Sequence, residues 1–260
     1  MKNILALTRK ELASYFQSPI AYIVIAIFLL LSGIIFSIRF AVFHDQSMEL
    51  ARNPYAMQHY GLDLTEHVLQ PTLFTLNFFS LLMIPMVTMR AFSEDKKSGA
   101  IELLLTYPVR DIEVALSKLI ACMGVYVCMI GLTLLYPILS MKYTEVEIAS
   151  LGIGSLGLLL SGAAFVSIGI FVSSLTENQI VAVTASYGSL FLFWFFCAAE
   201  TLAPAPYNVI LTELSLFKHM EDFAAGVLDS HELYYFLGFA VFFMFLTLRS
   251  LEVTRWKGKA

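Results

Sequence analysis

Six long runs without a charged residue or a histidine constrain this chain more than any other feature. They cover residues 19–38, 71–89, 119–141, 148–175, 180–199 and 233–248 and are 16 to 28 residues long. Crossing the hydrocarbon core of a bilayer takes about 20 apolar residues in a helix. Lipid offers the backbone no hydrogen-bond partners, so a spanning segment must be a helix or part of a closed barrel. Continuous apolarity without a period of two excludes the barrel. The rest of the composition agrees. Of 260 residues, 58% are hydrophobic and only 14% charged, against about 25% charged in soluble domains. The expected fold is an all-α membrane protein with six transmembrane helices. No cleavable signal peptide is expected, since the first run has the length of a span.

Charge sets the orientation. Of the 16 Lys and Arg residues, 12 fall in segments 1–18, 90–118, 176–179 and 249–260. The alternate segments 39–70, 142–147 and 200–232 hold 4 Lys and Arg but 12 of the 20 acidic residues. The positive-inside rule puts the first set, with both termini, in the cytoplasm. Within the spans, Pro85 and Pro137 mark late positions in the second and third. Gly152, Gly154, Gly157 and Gly162 crowd the start of the fourth, where small residues let helices approach closely. Gly152–Gly157 spells Gly-x-Gly-x-x-Gly, but it follows no strand and lies in an apolar run, so it reads as helix packing. Tyr22, Tyr107, Tyr136, Tyr143, Trp194, Tyr234, Tyr235 and Trp256 lie near the ends of runs and suit interfacial anchors or packing.

The most informative stretch is the cytoplasmic segment 90–118. Ile101, Leu104 and Leu105 share one helical face, while Glu94, Asp95, Lys97 and Glu102 supply polar faces. Pro108 breaks the helix, and Asp111 is placed to cap a new turn into the third span. The segment is expected to form two short elements at the membrane surface with a stiff bend between them. Alone, this pattern also fits an ordinary interfacial loop with solvated charges.

The residues resemble a known family. Arg90-x-x-x-Glu94, Gly99, Glu102-Leu103-Leu104-Leu-Thr-Tyr-Pro108 and then Lys118 entering a span look like the coupling loop of ABC type-2 permeases, the membrane subunits of bacterial ABC exporters. Lys10-Glu11-Leu-Ala-Ser-Tyr-Phe-Gln-Ser-Pro19 resembles that family's amphipathic N-terminal helix. Ser173-Ser-Leu-Thr176-Glu177-Asn178-Gln179 resembles its second cytoplasmic turn, and the stretch from Leu214 to Asp229 its segment before the last span. The resemblance covers the whole chain in order, and two patches look most like the gliding-motility-type branch. It implies one permease domain over 1–260. An amphipathic helix occupies 1–18, the coupling segment is 90–118, and 39–70 and 200–232 are external. It further implies two copies of a separate ABC ATPase, which would hold the ATP and Mg, and a second permease chain, identical or sister. Arg90, Glu94, Gly99, Glu102, Leu103, Leu104 and Pro108 would lie at the ATPase contact, with Thr176, Glu177 and Asn178 forming the second turn. Glu94 and Glu102 can meet basic residues on that partner, and Gly99 permits close approach.

Several features are missing. No Gly-x-x-x-x-Gly-Lys-Ser/Thr phosphate loop occurs, so any ATPase activity belongs to a partner, and no cofactor is expected on this chain. No nucleophile, base and orienting acid can be placed together, and no nucleic-acid partner is expected. Uncharged spans argue against a proton-driven carrier. Asn77, Ser80, Thr88, Ser161 and Ser167 are the expected buried polar side chains; they suit bonds between helices, and Asn77, Ser80, Ser161 and Ser167 are candidates to line a substrate path. Cys122, Cys128 and Cys197 match no metal or redox spacing. His44, His59, His67, His219 and His231 all fall in external segments; their spacing matches no compact metal site, so solvated loops are expected. Those long, acidic segments suit small capping helices, a sister subunit or an extracytoplasmic accessory protein. The leading expectation is the permease subunit of an exporter in a bacterial inner membrane, carrying a lipidic, glycan or hydrophobic substrate. The alternative is a structural or assembly subunit of a cell-surface, gliding-type machinery that moves no substrate.

Overall fold

In the computed structural model, which describes residues 2–52, 64–101, 109–141, 147–200, 204 and 207–257, every apolar run is helical. The order is α1 (Lys2–Gln17), α2 (Pro19–Arg52), a π-helical turn (Thr65–Leu69), α3 (Gln70–Thr88), α4 (Arg90–Lys97), α5 (Asp111–Thr133) and α6 (Leu135–Ser140). Then follow α7 (Ile148–Leu175), α8 (Gln179–Glu200), α9 (Tyr207–Leu214), α10 (Met220–Ala224) and α11 (Ser230–Lys257). No strand occurs among the described residues. Six helical stretches are long and apolar enough to cross a membrane: α2, α3 with its flanking turns, α5 with α6, α7, α8 and α11.

The breaks have local causes. Pro19 opens α2 at the first helical position, where its missing N–H costs nothing, and Ser18 Oγ accepts the Ile20 N–H at 3.4 Å. Pro137 cannot donate to the carbonyl four residues back, so the helix turns at Leu134 and α5 gives way to α6. Pro85 does not stop α3. Tyr187 Oη donates to the Leu82 carbonyl at 2.8 Å, one residue past the carbonyl that Pro85 leaves without its helical donor. Three boundaries differ from expectation. The first span ends by composition at residue 38, yet α2 continues to Arg52, because residues 39–52 include no Pro or Gly to stop it. For the same reason α11 extends beyond residues 233–248 at both ends.

The core is built around α7, which packs against α3, α5, α8, α10 and α11. Its glycines make this possible. A Cβ on Gly157 would collide with Phe223, on Gly154 with Leu73, and on Gly162 with Tyr126. The space is filled by those larger side chains, and Phe165, Phe217, Phe223 and Tyr126 are essentially inaccessible. Tyr126 Oη donates to the Leu158 carbonyl at 3.0 Å and lies 2.9 Å from Ser80 Oγ. Ser161 Oγ donates to Asn77 Oδ1 at 2.7 Å. Outward, α2 shows Ile23, Ile27, Leu30 and Ile34, and α11 shows Val241, Phe242 and Phe245. A soluble protein rarely leaves such continuous apolar surface uncovered; a bilayer covers it.

Candidate functional site

The charged segment after the second span converges with three other chain regions at one end of the bundle. It is not a free surface loop. Helix α4 buries Ala91, Phe92 and Ser93 against α7 and exposes Glu94 and Lys97. Its first turn carries backbone N–H groups that a helix start leaves unpaired. Ser173 Oγ, near the end of α7, accepts both the Phe92 and Ser93 N–H groups at 3.1 Å and donates to the Met89 carbonyl at 3.0 Å. One hydroxyl thus clamps the bend between α3 and α4 onto α7. Next to it, Lys96 Nζ donates to the Ser174 carbonyl at 2.6 Å, and Ser250 Oγ of α11 donates to the same carbonyl at 3.1 Å.

The charge centre of this end is Lys118. Its ammonium lies 2.6 Å from Asp95 Oδ2 of α4 and 3.1 Å from Glu11 Oε1 of α1. It also sits 5.0 Å from the centre of the Phe92 ring, an attractive cation–π position. Lys118 is only 2% exposed, and Asp95 and Glu11 are 25% and 14% exposed. Burying an ammonium is costly unless it is paired, and two carboxylates meet that need here. The triad ties α1, α4 and α5 together. Arg90 extends the lattice: its Nη1 donates to Ser18 Oγ at 2.7 Å, and its Nε lies 2.9 Å from Glu94 Oε2. Arg255 of α11 approaches Asp111 of α5 at 3.6 Å. Tyr15 Oη meets Cys122 Sγ at 3.2 Å. Burial pushes that phenol well above its ordinary range, with the neighbouring thiol and the Glu11 carboxylate adding to the shift, so it stays protonated.

Among the residues singled out by sequence, Arg90, Glu94 and Gly99 belong to this assembly. Gly99 follows α4 with φ of +72°, and a Cβ there would meet open space. Within the chain its role is a left-handed helix end, not close approach. Glu102, Leu103, Leu104 and Pro108 lie outside the described residues. Thr176, Glu177 and Asn178 form the turn just beyond the Ser173 clamp. Thr176 Oγ1 accepts the Asn178 N–H, and Asn178 Oδ1 caps α8 by accepting the Ile180 N–H at 2.9 Å. Asp111 does not act as the cap of α5. Arg110 holds that position, and its N–H donates to Glu113 Oε2 at 3.1 Å, which leaves Asp111 to face Arg255. Asn77, Ser80, Ser161 and Ser167 are fully buried. Each bonds within the chain; Ser167 Oγ donates to the Ala164 carbonyl. The reading of segment 90–118 as wholly solvated fails at Asp95 and Lys118, because a buried lysine draws its carboxylate inward.

A family model described as ABC-2 family transporter protein matches residues 57–217, well over half of the 260 residues. The chain belongs to the ABC-2 transporter family. The match is to the family as a whole and does not distinguish a gliding-motility-type branch. No curated protein matches the sequence. With six apolar helices the chain is a multi-pass membrane protein, and membership of the ABC-2 family implies the membrane subunit of an ABC transporter, partnered by an ABC ATPase and the lipid bilayer.

Opposite this end, the ABC-2 chain has a second polar cluster. The segment through α9 and α10 folds back onto α7, burying Leu216, Phe217, Met220, Phe223 and Ala224. His219 is 5% exposed and contacts Glu232 at the start of α11. The expectation of solvated external histidines therefore fails for His219, because the apolar residues around it carry it under the surface.

Proposed function

We propose that this chain is the permease subunit of an ABC exporter in a bacterial cytoplasmic membrane, with both termini cytoplasmic. Two such subunits, identical or sister, work with two copies of a separate ATPase that holds ATP and Mg. The substrate is lipidic, glycan or hydrophobic, since the spans offer apolar side chains with a few hydroxyls and amides.

One observation carries the reading: α4 is bonded to the neighbouring helices through buried polar groups, at Asp95 to Lys118 of α5, which also pairs with Glu11 of α1, and at Ser173 to α7. A surface helix anchored in this way moves as one body with the spans. An ATPase that displaces α4 would shift α5 and α7 with it, because packed helices slide or rotate as units. The contact itself would use the exposed Glu94 together with Gly99, Glu102, Leu103, Leu104 and Pro108. Thr176, Glu177 and Asn178 lie beside it.

Expression with an ABC ATPase encoded next to it, followed by mild detergent extraction, tests this. The ATPase is expected to remain bound at near-equal stoichiometry. Glu94→Arg is expected to weaken that attachment by at least about tenfold, because like charges facing each other across a contact are unfavourable, while leaving the chain folded in the membrane. An ATPase that binds neither the native chain nor the variant in any nucleotide state would overturn the proposal and favour a structural role.

A further inference from the structure

The hydrogen bonds around His219 leave both of its ring nitrogens facing groups that only accept. Nε2 lies 3.2 Å from the Glu213 backbone carbonyl, so Nε2 carries the hydrogen. Nδ1 points at Glu232 Oε2, and a carboxylate has no hydrogen to give. The contact is closed either by a hydrogen, carried on the ring or on the carboxyl, or, with the two side chains moved about 1 Å apart, by a metal ion. A histidine that donates one N–H to a backbone carbonyl and turns its other nitrogen to a ligand cluster has the arrangement that orients metal-bound imidazoles.

The rest of the cluster suits a metal. His231 Nδ1 lies 3.5 Å from the other oxygen of Glu232, and one donor atom each from His219, His231 and Glu232 falls within 4.8 Å of the others. Zinc-like ions hold nitrogen and oxygen donors at about 2.0–2.2 Å, which puts donors within roughly 3.5 Å of one another. His231 is 60% exposed, so it can close the remaining gap of about 1 Å. The Glu213 carboxylate stands 3.9 Å from His231 Nε2 and can orient that ring. Tyr235 stacks on His219 at 3.6 Å between ring centres and fixes the plane of the imidazole. The Tyr235 hydroxyl is buried with no hydrogen-bond partner among the described residues.

We propose that His219, His231 and Glu232 form a binding site for a divalent transition metal of the zinc class. It stands at the end of α11 remote from Ser250, about 30 Å along the helix. Two imidazoles and one carboxylate leave a fourth position open, as in sites that take water or another ligand. The ion clamps the segment carrying α9 and α10 to the last span.

The test uses the full chain, purified in mild detergent without a histidine tag. It is titrated with Zn2+ by calorimetry and with Co2+ by visible absorption. One Zn2+ per chain is expected, together with a rise in melting temperature. His231→Ala, at an exposed position that does not threaten folding, should weaken binding by at least about tenfold, the lower end of what losing even a ligand's hydrogen-bonding partner costs. Glu232→Gln should act the same way. Glu221→Gln, nearby but outside the cluster, should change nothing. A chain with no saturable Zn2+ binding would show that a proton bridges His219 and Glu232, and would overturn the proposal. Equal affinity in the native protein and His231→Ala would overturn it as well.

Discussion

Ser173 shows how much a single side chain can hold at this end of the bundle. Its hydroxyl is fully buried and accepts the Phe92 and Ser93 N–H groups at the α4 bend. Replacing it with alanine removes the acceptor of the first-turn Phe92 N–H, and a buried unpaired donor costs about 1–3 kcal/mol. Ser173→Ala is expected to lose stability of that size in detergent unfolding, and a loss below about 0.5 kcal/mol would show that the clamp is dispensable. Lys118 is a sharper case. Lys118→Met leaves the Glu11 and Asp95 carboxylates facing each other without their cation. Breaking a buried pair typically costs 3–5 kcal/mol; both carboxylates keep some solvent, so about 3 kcal/mol is expected. Adding Asp95→Asn should restore part of it, and the same unfolding experiment reads that recovery. Inside the membrane, Tyr126→Phe removes the bond to the Leu158 carbonyl, and a loss of about 1 kcal/mol is expected.

At the scale of elements, apolar runs and prolines made the helices legible. The spans, the start of α2 at Pro19 and the break before Pro137 follow from composition and from the chemistry of one residue type. The end of α2 does not, because lipid length limits only the apolar part of a helix, and residues 39–52 are free to continue it. The α4 segment was legible as a charged, amphipathic stretch with a glycine end, but its anchoring was not. Glu11 and Lys118 are 107 residues apart and Phe92 and Ser173 are 81 apart. Nothing local marks such pairs, although a lone lysine at the edge of an uncharged run and a Ser-Ser pair at the end of another are cues in hindsight. His219 and Glu232 are hidden for a different reason: by composition their segment is a polar loop, and only its packing on α7 buries the histidine. The stiff bend proposed at Pro108 leads to a prediction at this scale. Pro108→Ala should leave membrane insertion intact while lowering ATPase turnover in the reconstituted complex, and normal turnover would show that the bend does not transmit motion.

For the whole molecule, six spans place α4, the 176–178 turn and the end of α11 on one side, and α9, α10 and the start of α11 on the other. From the charge asymmetry, the first side is expected to face the cytoplasm. A protease site after Ala260 is therefore expected to be cut in inverted vesicles and protected in right-side-out ones, and the opposite pattern would reverse the topology. The uncharged spans argue against proton coupling through intramembrane carboxylates, and the proposed entry point for the work of transport is the end that carries α4.

That entry point can be tested directly by photo-crosslinking. A photoreactive amino acid at Lys97, exposed on α4, should join this chain to the ABC ATPase, while the same residue at Val241, 68% exposed on the apolar face of α11, should not. Crosslinking from Lys97 that intensifies or shifts with nucleotide would establish α4 as the contact through which ATP acts. An ATPase that co-purifies but never crosslinks from Lys97 would contradict the account and place the coupling surface elsewhere.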